Sequence, residues 1–193
     1  MLTDRSGILV PMARPTPQTH GEILAAAARR FAATGYRGTS LQDIAGEVGC
    51  SKAAVLYHFA NKEAILTELM APAIEVLRAL DDRIAAQSEP ASAQRVAAEG
   101  FVDLAVRFRG EIALLRGEFP ELLQQPDFAH IQQISERLLA ALAGRSERAS
   151  ARITAFVLLA GIAETCGEFA DVPDEELRDA LLALLRRALA PVH

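Results

Sequence analysis

From Thr39 to Phe59 the chain reads TSLQDIAGEVGCSKAAVLYHF, and ANKEAIL follows at once. Two short apolar-periodic stretches meet at Gly49, each opened by a serine. Ser40 heads the first with Asp43 three residues on, a variant of the capping box. Within it Leu41, Ile44, Ala45 and Val48 fall at i, i+3, i+4 and i+7, the stripe of a half-buried helix. Ser51 caps the second, where Val55, Leu56 and Phe59 are expected to face inward. That leaves Lys52, Ala53, Ala54, Tyr57 and His58 on or near the outside. Two short capped helices about a tight turn have the dimensions of an element that enters a DNA major groove.

The composition of that outer face carries the functional argument. An ordinary solvated helix presents Glu, Lys and Gln. This one presents small and aromatic residues with a single lysine. Alanine lets a backbone approach a groove floor, and its methyl can touch a thymine methyl. Tyr57 offers a hydroxyl to a phosphate, while Lys52 and Lys62 can neutralise phosphates. Lys62 also opens a helix whose free N–H groups attract an anion. Periodicity alone also permits Ala53 and Ala54 to pack on another helix, with Tyr57 in the core.

Upstream, Ile23, Ala27 and Phe31 form one stripe with Leu24 and Ala28 beside them, and Gly35 is expected to stop this first helix at a left-handed C′ position. Downstream, Asn61 caps a long helix running through Leu66, Leu69, Met70, Ile74, Leu77, Leu80 and Ile84. The proline-rich residues 1–16 are expected to be a disordered extension, with Met12 as the natural start.

Charge is only a weak guide. The net charge of −5 is unlike that of a generic nucleic-acid binder. Residues 1–70 carry 7 Lys+Arg against 6 Asp+Glu, a net of +1, and the remaining residues carry 13 against 19, a net of −6. The polarity suits an N-terminal DNA-binding end. Half of the residues are hydrophobic (51%) but aromatics are scarce (5%), a composition of packed Ala/Leu helices.

The segment from Ile23 to Leu66 resembles the N-terminal domain of the TetR family of bacterial transcriptional regulators. The resemblance rests on Phe31, Gly35-Tyr36, Thr39-Ser40, Asp43-Ile44-Ala45, Gly49, Ser51-Lys52, Leu56-Tyr57-His58-Phe59 and Asn61-Lys62-Glu63. It implies that the third helix enters the major groove. Ser51, Lys52, Ala53 and Ala54 would then lie nearest the bases, with Ser40, Tyr57, His58 and Lys62 toward phosphates and Thr39 also among the DNA-binding residues. Two positions depart from the pattern: Ala53 stands where glycine is frequent, and Cys50 where a small aliphatic residue is usual. A thiol beside a helix N-terminus can be acidified into a redox switch; a small residue closing the turn is the simpler role for Cys50.

Beyond Pro90, helical segments are expected near 93–109, 111–118, 127–143, 147–169 and 174–189, with no period-two alternation. The chain therefore reads as all-α with about nine helices. Residues 17–60 form the helix-turn-helix domain and 61–193 a helical regulatory and dimerisation domain, with 61–85 connecting them. The stretch around Ile153, Phe156, Val157, Leu158, Leu159, Ile162 and Ala163 has almost no polar side, and Gly161 allows close approach. Together with Leu177, Leu181, Leu184 and Leu185 it is expected to build a twofold dimer interface through a four-helix bundle. Central core helices are the alternative.

The resemblance also implies a small-molecule pocket. Phe101, Leu104, Phe108, Phe119, Phe128, Phe156 and Leu159 are its candidate apolar lining, and Arg107, Glu164, Thr165 and Cys166 its polar points. The acidic neighbours Glu118, Glu121 and Asp127 read as a solvated loop.

Other chemistry finds no support in the residues. Cys50 and Cys166 lack CxxC spacing, and His20, His58, His130 and His193 lack metal-ligand spacing. No Gly-rich phosphate loop, nucleophile elbow or HExxH occurs, so neither cofactor, metal nor catalytic site is expected. No apolar run approaches the ~20 residues of a membrane span, and GILVP is too short for a signal-peptide core. The expectation is a cytoplasmic homodimeric repressor that binds a palindromic operator and is released by a small-molecule effector. The alternative is a DNA-binding helical dimer without a ligand, governed by a protein partner or by abundance.

Overall fold

Serine and asparagine caps set the helix starts in the N-terminal part of this computed structural model, which describes residues 17–114 and 129–189. Helix α1 spans Pro17–Gly38, α2 Leu41–Val48, α3 Lys52–His58 and α4 Lys62–Ala85. Ser40 and Asp43 form the reciprocal capping box of α2, Ser51 accepts from the Ala54 N–H, and Asn61 accepts from the Ala64 N–H. Gly49 ends α2 in the left-handed conformation, φ 76° and ψ 26°, a backbone that costs glycine nothing. Gly35 also has positive φ (77°), but its ψ of 160° makes a kink rather than a left-handed cap, and the chain makes one more turn to Gly38.

The second part continues with α5 (Pro90–Arg107), α6 (Arg109–Leu114), α7 (Ala129–Leu142), α8 (Ala149–Glu168) and α9 (Asp174–Ala188). Nine helices and no strand are thus present among the described residues. The expected acidic loop at Glu118, Glu121 and Asp127, the aromatics Phe119 and Phe128, and the N-terminal extension 1–16 lie outside them.

Two apolar cores hold the helices together, and α4 runs through both. The first gathers Ile23, Phe31, Ile44, Val55 and Phe59 with Ile65, Leu66 and Met70, and then takes in Leu104, Phe108, Leu114 and Ile131. The second is built on Leu80 and Ile84 of α4, with Val102, Leu138, Leu158, Ile162, Leu181 and Leu185. Leu77 packs against both. At Gly100 of α5 a Cβ would stand 2.2 Å from Leu80 Cδ1 of α4. Polar ties hold the layers from outside: Arg137 of α7 grips Asp81 of α4 at 2.8 Å, and Arg178 of α9 meets Asp103 of α5 at 2.6 Å. Arg109 joins the start of α6 to the Val172 carbonyl and Asp174.

Helix α8, 20 residues long, is apolar enough to span a membrane by length and composition only, a test that a core helix also passes. Only a narrow stripe (Ala155, Leu158, Ile162 and Cys166) is buried in the subunit, and that stripe packs against α5, α6 and α7.

Candidate nucleic-acid interface

The reading surface is the outer side of α3. Val55 and Phe59 plug this seven-residue helix into the first core. Ser51, Lys52, Ala53 and Tyr57 are exposed, Tyr57 at 72%, while Ala54 and His58 are half-buried. Leu56 departs from expectation. It is 43% exposed and stands outside the first core, because a residue four after Lys52 and three after Ala53 shares their face.

The end of α3 is braced from α1 by a contact between distant parts of the chain. The His20 ring stacks on Phe59 at a centroid distance of 4.5 Å and meets His58 edge-on at 5.7 Å. Its Nε2 lies 2.7 Å from a Glu68 carboxylate oxygen on α4, 48 positions further along. One imidazole thus touches α3 and α4 while carried on α1. Local periodicity holds no signal for this role of His20. Glu47 ties α2 to α1 by accepting from Arg29 at 2.7 Å, with Arg30 at the same distance; the Arg29 bond holds its carboxyl below the usual range.

Two expected DNA contacts are also engaged within the protein. Thr39 is only 3% exposed, and its hydroxyl donates to the Gly35 carbonyl at 2.9 Å. The Thr34 hydroxyl lies at the same distance from it. The Lys62 ammonium donates to the carbonyls of Tyr36 at 2.6 Å and Thr39 at 2.8 Å. Both residues lock the α1–α2 turn that presents Ser40. Ser40 is exposed but donates to Asp43 Oδ2 at 2.6 Å, which holds that carboxyl below its ordinary range. Burial pushes the Cys50 thiol up, away from a reactive thiolate, in keeping with a small residue closing the turn.

Residues 23–69, which cover this whole constellation apart from His20, match the family described as bacterial regulatory proteins, tetR family. A sequence relative points the same way. The HTH-type transcriptional repressor KstR2 of Mycobacterium tuberculosis is 27% identical over 113 residues, 58% of this chain and 56% of that protein. The aligned region therefore spans little more than half the length of that relative. The family match is to tetR regulators, over residues 23–69.

Solved structures extend the tetR-family fold to the rest of the chain. The ketosteroid transcriptional regulator KstR2 of Mycobacterium tuberculosis superposes with a TM-score of 0.68 at 18% identity, covering 91% of this chain and 95% of that one. The tetR-family regulator PfmR of Thermus thermophilus gives 0.64 at 20%, covering 93% and 99%. AibR, solved with isovaleryl coenzyme A and operator DNA, gives 0.61 at 22%, covering 86% and 97%. The proteins matched by family and sequence are regulators, not enzymes.

In the second part of the chain the structure divides the expected interface residues into two groups. Ile153, Val157, Gly161 and Leu184 are exposed. Leu177, Leu181 and Leu185 are buried in the subunit's own second core, which corrects their assignment to a dimer seam. They turn inward because α9 packs on α5 and α8 through that side, leaving Leu184 outward.

The expected ligand residues among the described ones divide between the two cores and the surface. Leu104 and Phe108 belong to the first core, while Phe101 and Leu159 border the second. Phe156 is exposed on the outer side of α8, a correction of its pocket assignment. Glu164 and Arg107 are exposed, Thr165 is half-buried, and Cys166 is fully buried. A separate open depression of about 220 Å³ lies between α5 and α9, lined in part by Gln94, Arg95, Leu182 and Leu185.

Proposed function

We propose that this protein is a transcriptional regulator, acting as a repressor, that reads a two-fold symmetric operator as a homodimer. The observation that carries the reading is the outer face of α3, where Lys52, Ala53 and Tyr57 stand exposed on a helix whose other side is plugged into a capped three-helix core. Small residues permit close approach to base edges, and the flanking polar groups can position the helix on the backbone. One seven-residue helix contacts too few base pairs for useful specificity. A twofold axis supplies the second copy, with half-sites ~34–36 Å or a multiple apart.

The outward apolar side of α8, with Ile153, Phe156 and Val157 exposed and Leu184 of α9 near 45%, supports pairing there. A helix apolar all round needs cover on both sides, and the subunit covers one. Release by a small-molecule effector is supported by the tetR-family fold and by AibR, whose structure holds both isovaleryl coenzyme A and operator DNA. Helix α4, shared by both cores, and α6, packed against both α1 and α8, are the elements through which such a signal would pass. A coupling of ~1–3 kcal/mol changes operator affinity by about 5- to 150-fold.

Selection of binding sites from randomised duplex DNA tests the core of this reading, and enrichment of an inverted repeat is the expected result. Thermal-shift screening, with operator release as second readout, tests the effector. The placement of Leu104 and Phe108 in the packed core favours a second reading, a DNA-binding dimer without ligand. A complete screen in which no compound both shifts melting and releases DNA would select it.

A further inference from the structure

The outer face of α3 holds one side chain that the motif pattern assigns to the inside. Lys52, Ala53, Leu56 and Tyr57 occupy i, i+1, i+4 and i+5, which is one face of a helix. Leu56 is 43% exposed at its centre and joins neither apolar core. Its inward neighbours Val55 and Phe59 already fill the inner side. Around it stand the exposed Ser51 and Lys52 at the start of the helix, Tyr57 beside it, and half-buried His58. An apolar side chain is therefore framed by groups suited to a polyanion, and Ala53 leaves room for it to reach a surface.

We propose that Leu56 is a specificity-determining residue that reads the C5-methyl group of a thymine in each operator half-site. The inference rests on the DNA-binding reading above. A leucine side chain has neither donor nor acceptor. Guanine and adenine offer polar atoms in the major groove, and cytosine offers its amino group, whereas thymine alone adds a methyl. Opposite any other base, Leu56 would cover a polar edge and leave it unpaired. Opposite thymine, two apolar groups leave water together.

The test uses the full chain and the operator recovered by selection. Each thymine is replaced in turn by deoxyuridine, which removes a single methyl group and leaves the pairing edge intact. At one thymine per half-site the replacement is expected to weaken wild-type binding about fourfold, the effect of burying one methyl group. Replacing both half-sites should weaken it about fifteenfold. Leu56→Ala is expected to melt as the wild type does, and to bind thymine and deoxyuridine operators equally at that position. Leu56→Gln, whose amide suits adenine, is expected to lose the thymine preference there in a repeat selection. Wild-type affinity indifferent to every deoxyuridine replacement overturns the assignment. So does a Leu56→Ala variant, or a Leu56→Gln variant if alanine does not fold, that keeps the full sensitivity. Failure to enrich any DNA sequence instead overturns the regulator reading itself, and this inference with it.

Discussion

The ammonium of Lys62 engages Tyr36 twice, donating to its carbonyl oxygen at 2.6 Å and lying 4.1 Å from the centroid of its ring. The first residue of α4 thereby secures the end of α1, 26 positions earlier in the chain. A second bond to the Thr39 carbonyl extends the clamp across the turn into α2. Lys62→Met should lower stability by about 1.5–3 kcal/mol, the range for a hydrogen bond to a charged group. Because that ammonium faces inward, the salt dependence of DNA binding should be unchanged. Removal of a phosphate contact would instead lower the log–log slope by about 0.9. Urea denaturation and binding titrations across salt concentrations separate the two.

Tyr57 makes the complementary prediction. At 72% exposure it contributes little to folding, so Tyr57→Ala should leave the melting temperature nearly unchanged. Operator affinity should fall by roughly 1–2 kcal/mol, a lost hydrogen bond to a charged group plus contact area. Unchanged affinity in a direct binding assay would displace α3 from the interface.

Val157 and Leu181 should respond differently to the same charge. Val157→Glu places a carboxylate on the exposed side of α8 and should yield a folded monomer by light scattering. Leu181→Glu buries one in the second core and should destabilise the subunit itself by at least about 3 kcal/mol. A dimeric Val157→Glu protein would move the interface elsewhere.

Gly100 of α5 lies against the Leu80 side chain of α4. In Gly100→Ala the new Cβ would stand 2.2 Å from Leu80 Cδ1, so the buried leucine must shift. The ~1 kcal/mol helix-propensity gain offsets only part of the overpacking, and a net loss of about 1–2 kcal/mol is expected. Adding Leu80→Ala should cost less in that background than in the wild type, as a double-mutant cycle in urea would show.

Asp43 ties folding to acid. Its carboxylate accepts from the Ser40 N–H and hydroxyl, which lowers its folded pKa below the ordinary carboxylate range. Its stabilising contribution is complete above the unfolded value of about 3.9 and is lost as pH falls through the lower folded value. Asp43→Asn should flatten this part of the stability profile, measured by circular-dichroism melts from neutral pH into acid.

Much of the reading element was legible because its determinants are local. The Ser40–Asp43 box, the Ser51 and Asn61 caps and the glycine at position 49 act within a few residues, so their spacing states their geometry. Leu56 escapes the pattern because a seven-residue helix offers too few turns to define the edge of its apolar stripe. Thr39 and Lys62 matched a motif, yet their partners are the Gly35, Tyr36 and Thr39 carbonyls around a kink that no side-chain pattern encodes.

In the second part of the chain, the sequence by itself determined that α8 and α9 are helices rich in apolar residues. It did not determine which way they face. Ile153, Phe156, Val157 and Leu158 follow a helix with no polar side, and Leu181, Leu182, Leu184 and Leu185 occupy four of five consecutive positions. Periodicity carries orientation only when polar residues mark the opposite face. Tertiary packing alone decided that Leu158, Leu181 and Leu185 enter the second core while Val157 and Leu184 remain outside. The choice is made by the neighbours each helix must fill at close-packed density, α5, α6 and α7 for α8 and α5 and α8 for α9.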